Sequence, residues 1–210
     1  MRYSLIIPVY NEEETIQELY KRCSAVLDKL KGTYEIIFVN DGSTDTTRAL
    51  LLKLRSKNKR IKIINFSRNF GHQVAVNAGM RHSSGEYVAI IDGDLQDPPE
   101  ILPKFFAKLE KGYDVVYGTR KKRKESFCKR FLYNLFYRSL QAIVDLEIPL
   151  DSGDFCVMKR HIVDAINLLP ERNRYIRGLR SWVGGKQIGI DYKRNRRYKG
   201  KSKYTVSKLF

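Results

Sequence analysis

The chain is poor in the residues that build disulfide frameworks and zinc sites. Its cysteines are Cys23, Cys128 and Cys156, odd in number, far apart and outside any Cys-x-x-Cys pair. That excludes a disulfide scaffold or a structural zinc site and suits a reducing compartment. His72, His82 and His161 fall in no His-Glu-x-x-His arrangement, so structural roles are expected for all three. No apolar run reaches the ~18 residues that cross a bilayer. The opening MRYSLIIPVYNEE is no signal peptide, because its apolar stretch is short and runs into acids. Acid is scarce: 23 Asp and Glu face 40 Lys and Arg, a formal charge of +17. Such a surplus implies an anionic partner: nucleic acid, a phosphorylated substrate or an anionic membrane surface.

What is present points to a folded α/β domain. The composition is 42% hydrophobic and 11% aromatic, and 210 residues suffice for one domain with a real core. Apolar runs at 3–9, 35–40, 61–66, 86–91 and 113–118 read as strands. Between them 12–30, 45–56, 73–82 and 99–111 carry helical spacing, the last with Pro99 in its first turn. Alternation of this kind, with Val- and Ile-rich strands, predicts a mostly parallel, Rossmann-like sheet with helices on both faces. No internal repeat or low-complexity linker is seen.

After Gly118 the character changes. TRKKRKE is a basic burst, and 126–145 forms an amphipathic pattern with Phe127, Phe131 and Phe136 on one side and Lys129, Arg130 and Arg138 elsewhere. Such a helix either packs on its own core or lies in a membrane interface. The segment 193–208 holds eight basic residues and no acid, the pattern of a solvated face or flexible arm that anionic lipid would attract. KYTVSKLF lacks the stop signals of a finished domain, so a longer natural protein is expected.

Against this basic background, IIDGDLQDPPE places Asp92, Asp94, Gln96 and Asp97 within six residues, just after an apolar run. In open parallel sheets ligands bind beyond the carboxyl ends of strands. The strand tips here are PVYNEE, NDGSTD, SRNFGH, DGDLQD and TR, so several acids should converge on one crevice. Carboxylates and a carboxamide suit Mg²⁺ or Mn²⁺. Mg²⁺ takes one or two carboxylates and completes its shell with phosphate oxygens and water, so D-x-D-x-Q suggests a metal-bound diphosphate. Asp41 fits a contact to base or ribose, and equally an N-cap in its turn. Tyr10 fits base stacking or packing; Asn11 fits a ligand or a helix cap.

IIPVYNEEETI, FVNDGSTD, DGDLQDPPE, DSGDF and GKSKY, in this order, resemble the family 2 glycosyltransferases of the GT-A fold. The resemblance covers essentially the whole chain. It is strongest to the polyprenyl-phosphate branch, the dolichol-phosphate mannosyltransferases and bacterial undecaprenyl-phosphate (bactoprenol) glucosyl- or aminoarabinosyltransferases. It implies an inverting transfer of a sugar from a nucleotide diphosphate to a polyprenyl phosphate at the cytoplasmic membrane face. By that resemblance Pro8, Tyr10, Glu12 and Asp41 hold the nucleotide, and Asp92 lies near ribose and metal. Asp94 and Gln96 are metal ligands. Arg120 and Arg130 lie near the acceptor phosphate, with Asn134 assisting. Asp154 matches a carboxylate proposed as base. Arg197, Ser202 and Lys203 close over the donor diphosphate. Transmembrane helices are expected beyond Phe210.

A phosphate monoester has its second pKa near 6, so the acceptor is mostly dianionic at pH 7 and needs little deprotonation. Asp154 is therefore expected to orient rather than to take a proton. Arg120, Arg130, Arg197 and Lys203 would supply the field that brings two polyanions together. Three rivals are weaker. A nucleic-acid binder lacks an RNP, helix-turn-helix or zinc-finger pattern. A nucleotidyltransferase would need a Gly-rich loop where PVYNEE stands. A soluble or polysaccharide acceptor would not call for the Phe-rich basic segment or the polybasic tail. DLQDPPE leans toward a UDP-sugar and an undecaprenyl carrier; the sugar is open, and a homo-oligomer is neither required nor excluded.

Overall fold

The computed structural model describes residues 1–120, 152–171, 174–195 and 198. The first half follows the expected alternation. Strands β1 (Tyr3–Val9), β2 (Tyr34–Asn40) and β3 (Ile61–Asn65) are separated by helices α1 (Ile16–Leu27) and α2 (Thr47–Lys57). Helix α3 (His72–His82) leads into β4 (Tyr87–Ile90), and a 3-10 turn (Pro99–Ile101) opens α4 (Leu102–Glu110). Then come β5 (Val115–Arg120), β6 (Ser152–Lys159), α5 (Arg160–Leu168), α6 (Ile176–Val183) and β7 (Gln187–Tyr192).

All seven strands form one sheet in the order β3-β2-β1-β4-β6-β5-β7. β1 pairs in parallel with β2 and β4, β2 with β3, and β5 with β7. β6 is antiparallel to both its neighbours, β4 and β5. The expected mostly parallel sheet is therefore present, with one reversed strand. β1 and β2 are buried at every position, which is why they read as continuous apolar runs rather than alternating ones.

Side chains of opposite parity fill two cores. Leu5, Ile7, Ile36 and Phe38 pack with Leu19, Cys23 and Leu51 of α1 and α2 and Phe105 of α4. Ile6, Ile37, Val39 and Cys156 pack on the other face with Val76 and Met80 of α3, Val163 of α5 and Ile176 of α6. Helices thus cover both faces, as expected. At the base of the sheet Glu35, 1% exposed, accepts from Ser4 Oγ at 2.6 Å and Ser84 N at 2.8 Å, and Lys62 Nζ lies 2.5 Å away. At the opposite end β1, β2 and β4 deliver their carboxyl termini to a common edge, where the polar residues gather.

Candidate active site

The loop after β1 and the loop after β2 are tied together. Asn11, with φ 52°, donates its N–H to Ser43 Oγ at 2.9 Å and accepts from Thr44 N at 2.8 Å. Glu12 N donates to Thr47 Oγ1 at 2.8 Å, and its carboxylate accepts from Thr15 Oγ1 at 2.7 Å. Asn11 is thereby a clamp between loops. Glu12 is buried, Tyr10 half-buried at the mouth, and Pro8 buried in β1 opposite Val39.

Asp41 follows β2 and is 3% exposed. It does not cap the helix that follows it. Its two carboxylate oxygens accept from Phe70 N at 2.7 Å and Gly71 N at 3.0 Å, at the start of α3. Gly42 makes the close approach possible: its φ is +66°, and a Cβ there would stand 2.2 Å from the Arg68 carbonyl carbon.

Beyond β4 the D-x-D-x-Q-D loop folds tightly, with Leu95 at φ 59°. Asp94, 8% exposed, accepts from Gln96 N at 3.0 Å. Asp97, buried deeper, accepts from the Tyr192 hydroxyl and lies 3.4 Å from Arg194 Nε. Gln96 O accepts from Asn195 N at 2.9 Å. The beginning of the basic segment 193–208 is thus docked on the acid loop; the expectation of a free arm does not hold there. Asp92 lies 3.7 Å from His72 Nε2 and 3.9 Å from Arg194 Nη2. Burial, reinforced by Asp97, Asp154 and Asp94, outweighs His72 and pushes the Asp92 carboxyl up to about 6.

Asp154 enters from the start of β6. The β4–β6 register pairs Ile90 with Cys156, which carries Asp154 toward the end of β4. Its carboxylate receives Arg177 Nε at 2.7 Å and Nη2 at 3.3 Å, and Gln73 Nε2 at 3.3 Å. His72 Nε2 stands 3.2 Å away. Burial favours the neutral acid, but His72 and Arg177 prevail and hold the Asp154 carboxyl well below the ordinary carboxylate range. For His72, burial opposes the charge, yet Asp154 and Asp92 raise its pKa above the ordinary value.

The structure therefore brings Glu12, Asp41, Asp92, Asp94, Gln96 and Asp154 to the carboxyl edge. Arg120 ends β5 in register with Tyr192. Arg130, Asn134, Arg197, Ser202 and Lys203, and the 126–145 segment, lie outside the described residues. Sequence reasoning missed Gln73, Arg177, Arg194 and Tyr192, and it gave His72 a structural role without naming its partners. SRNFGH had been marked as a strand tip, but nothing local indicated that its histidine would meet two acids. Among the described residues no three His, Cys, Asp or Glu side chains converge as a complete metal cage. An ion filling its shell with diphosphate and water needs only one or two carboxylates. Asp92 Oδ1, buried without a hydrogen-bond partner, and the neighbouring Asp94 and Gln96 fit that partial donor set.

A sheet with acids at the carboxyl ends of its central parallel strands, and one reversed strand beside them, is the GT-A architecture. Solved structures share it. The mannosyltransferase PcManGT from Pyrobaculum calidifontis, in complex with GDP-Man and Mn²⁺, superposes with a TM-score of 0.66 at 20% identity, covering 90% of this chain and 55% of that one. Glucosyl-3-phosphoglycerate synthase from Mycobacterium tuberculosis, in complex with UDP, gives 0.65 at 19% identity, covering 99% and 74%. The chain belongs to glycosyl transferase family 2, whose model matches residues 4–166. An uncharacterized glycosyltransferase, YkcC of Bacillus subtilis (strain 168), is 46% identical over 210 residues, all of this chain and 65% of that protein. The bactoprenol glucosyl transferase of Shigella phage SfX is 38% identical over 211 residues, 100% of this chain and 69% of its own length. The chain thus spans about two-thirds of these relatives.

Proposed function

We propose that the protein is an inverting glycosyltransferase that moves a sugar from a nucleotide diphosphate, a UDP-sugar by preference, to a polyprenyl phosphate. One observation carries this: four aspartates from three separate segments, Asp41, Asp92 with Asp94, and Asp154, meet at one sheet edge. The chain as a whole carries a net charge of +17, which suits two anionic substrates. The bactoprenol glucosyl transferases that match the whole chain support the lipid acceptor.

Asp41, Glu12, Tyr10 and Pro8 border the nucleoside. Asp94, Gln96 and Asp92 would hold Mg²⁺ or Mn²⁺, which when bound offsets the charge growing on the leaving diphosphate. The acceptor phosphate oxygen forms the new bond to the anomeric carbon as the bond to the diphosphate breaks on the opposite face. The electron pair leaves with the diphosphate, and no proton has to move from a dianionic phosphate. Asp154, held ionised by Arg177, orients rather than accepts a proton. Arg120, Arg130 and Asn134 are assigned to the acceptor phosphate, and Arg197, Ser202 and Lys203 to the donor diphosphate. The site works at the cytoplasmic face of the cell membrane, with 126–145 against the lipid. Among the described residues no helix is long and apolar enough to cross a membrane.

The test is a donor screen in detergent with undecaprenyl phosphate and Mn²⁺, comparing UDP-glucose, UDP-N-acetylglucosamine, UDP-aminoarabinose and GDP-mannose. A glycosylated lipid from one UDP-sugar is the expected product. Nucleotide release without lipid product, or transfer only to a soluble acceptor, refutes the lipid assignment.

A further inference from the structure

His72 is a half-buried titratable group, its Nε2 buried, to which the proposed reaction gives no task. Its position is nevertheless unusual. It is the first residue of α3, and the two N–H groups just before it, on Phe70 and Gly71, are those that Asp41 receives. The residue just after it, Gln73, donates to Asp154 at 3.3 Å and accepts from Ile176 N at 2.9 Å. Four consecutive residues, 70–73, therefore touch the acid assigned to the nucleoside, the acid assigned to the acceptor and the start of α6.

Between these anchors the imidazole Nε2 sits 3.2 Å from Asp154 Oδ2 and 3.7 Å from Asp92 Oδ1. Nε2 makes no well-formed hydrogen bond to either, and Asp92 Oδ1 is likewise buried without such a partner. The edge of the imidazole thus lies between two carboxylates that would otherwise repel across a poorly solvated gap. Arg177 grips Asp154 and also acts on Asp92 through space, and Arg194 faces Asp92; among the described residues the imidazole is the cationic group within 4 Å of both acids.

We propose that His72 is a positioning residue: its Nε2–H fixes the separation of Asp92, on the donor side, and Asp154, on the acceptor side. The inference rests on the transferase assignment above and deepens it. His72 touches neither substrate; it acts through the two carboxylates. Misplacing reacting groups by about 1 Å costs about 100-fold in rate, whereas ground-state nucleotide contacts, made chiefly elsewhere, are spared.

The geometry dictates which substitutions work. The Gln Nε2 is as many bonds from Cα as the His Nε2, so His72→Gln retains an N–H at the right reach. His72→Asn ends at the level of Nδ1 and cannot bridge. In the full chain with detergent and undecaprenyl phosphate, H72A and H72N should lose about 10- to 100-fold in kcat. Donor KM and UDP affinity by calorimetry should stay within about threefold, because that binding is made elsewhere. H72Q should recover most of the loss. Three results overturn the proposal: H72N performing as well as H72Q, nucleotide affinity falling in step with kcat, or H72A turning over like the parent. Crystals of H72A with UDP and Mn²⁺ separate this claim from the lipid assignment. If His72 positions the pair, the Asp92–Asp154 separation changes there even should the parent protein glycosylate no lipid; an unchanged separation refutes it independently of activity.

Discussion

Replacing Asp154 by Asn distinguishes a base from an orienting anion. The substitution keeps the size of the side chain and removes its charge. Arg177 then loses a partner it holds through two contacts, at 2.7 and 3.3 Å, and Gln73 and His72 lose theirs. Hydrogen bonds to charged groups contribute about 1.5–3 kcal/mol each, but Arg177 remains 31% exposed and can be rehydrated. A net loss of about 2 kcal/mol follows, which lowers Tm by about 4–8 °C in a chain of this size. Turnover should fall about 10- to 100-fold through lost orientation. That range overlaps the 100- to 10,000-fold of general-base removal, roughly, so the magnitude alone does not decide. The pH profile does. Arg177 and His72 keep Asp154 ionised far below neutrality, so it cannot produce an acid limb between pH 5 and 8. The acceptor phosphate can, with its second pKa near 6, and so can Asp92, whose carboxyl is pushed up to about 6. The kcat/KM profile of D154N should retain the parent's acid limb at lower amplitude. Disappearance of that limb in D154N would refute the reasoning and restore the base.

Asp94→Ala should abolish cation-dependent turnover while circular dichroism and Tm remain close to the parent; undiminished activity removes the metal assignment. Gly42→Ala forces a Cβ into the Arg68 backbone at a φ of +66°, so urea unfolding should report a loss of about 2–4 kcal/mol, with weaker UDP binding because Asp41 shifts. Burial opposes ionisation of Glu35, yet Lys62, Ser4 and Ser84 together hold its carboxyl below the ordinary value. A depressed acid contributes stability that is present above its unfolded pKa, about 4.3, and fades as pH falls through the lower folded value. The stability gap between the parent and Glu35→Gln should therefore be full at pH 7 and narrow below about pH 4; a gap independent of pH contradicts this.

β1, β2 and β4 were legible because they are buried at every position and demand unbroken apolar runs, and the partly exposed β3 and β5 still carry short ones. β6 and β7 were not. SGDFCVMK and QIGIDY interleave Gly and Asp with apolar residues, and β7 lies at a sheet edge where less burial is required. Asp94 and Gln96 were readable because their loop is contiguous. Asp41 was read as a base or ribose contact or as an N-cap in its own turn; the cap does not form, and its carboxylate serves amides 29 and 30 residues further on. The Arg177–Asp154 pair spans 23 positions, and His72 meets Asp154 from 82 positions away. Periodicity carries no information about such pairs; only the sheet order that lays β6 beside β4 creates them.

The reversed direction of β6 has a wider consequence. Because β5 runs out to the mouth of the cleft and β6 runs back from it, with Thr119 opposite Ser152, the intervening stretch departs and returns at adjoining points. Its two ends are held by the pairing of β5 with β6 itself, so a change in its length does not by itself require a new register for those strands. On the proposed transferase reading, exchange of that one cassette alters which molecule receives the sugar, while the acids at the tips of β2 and β4 go on serving the donor.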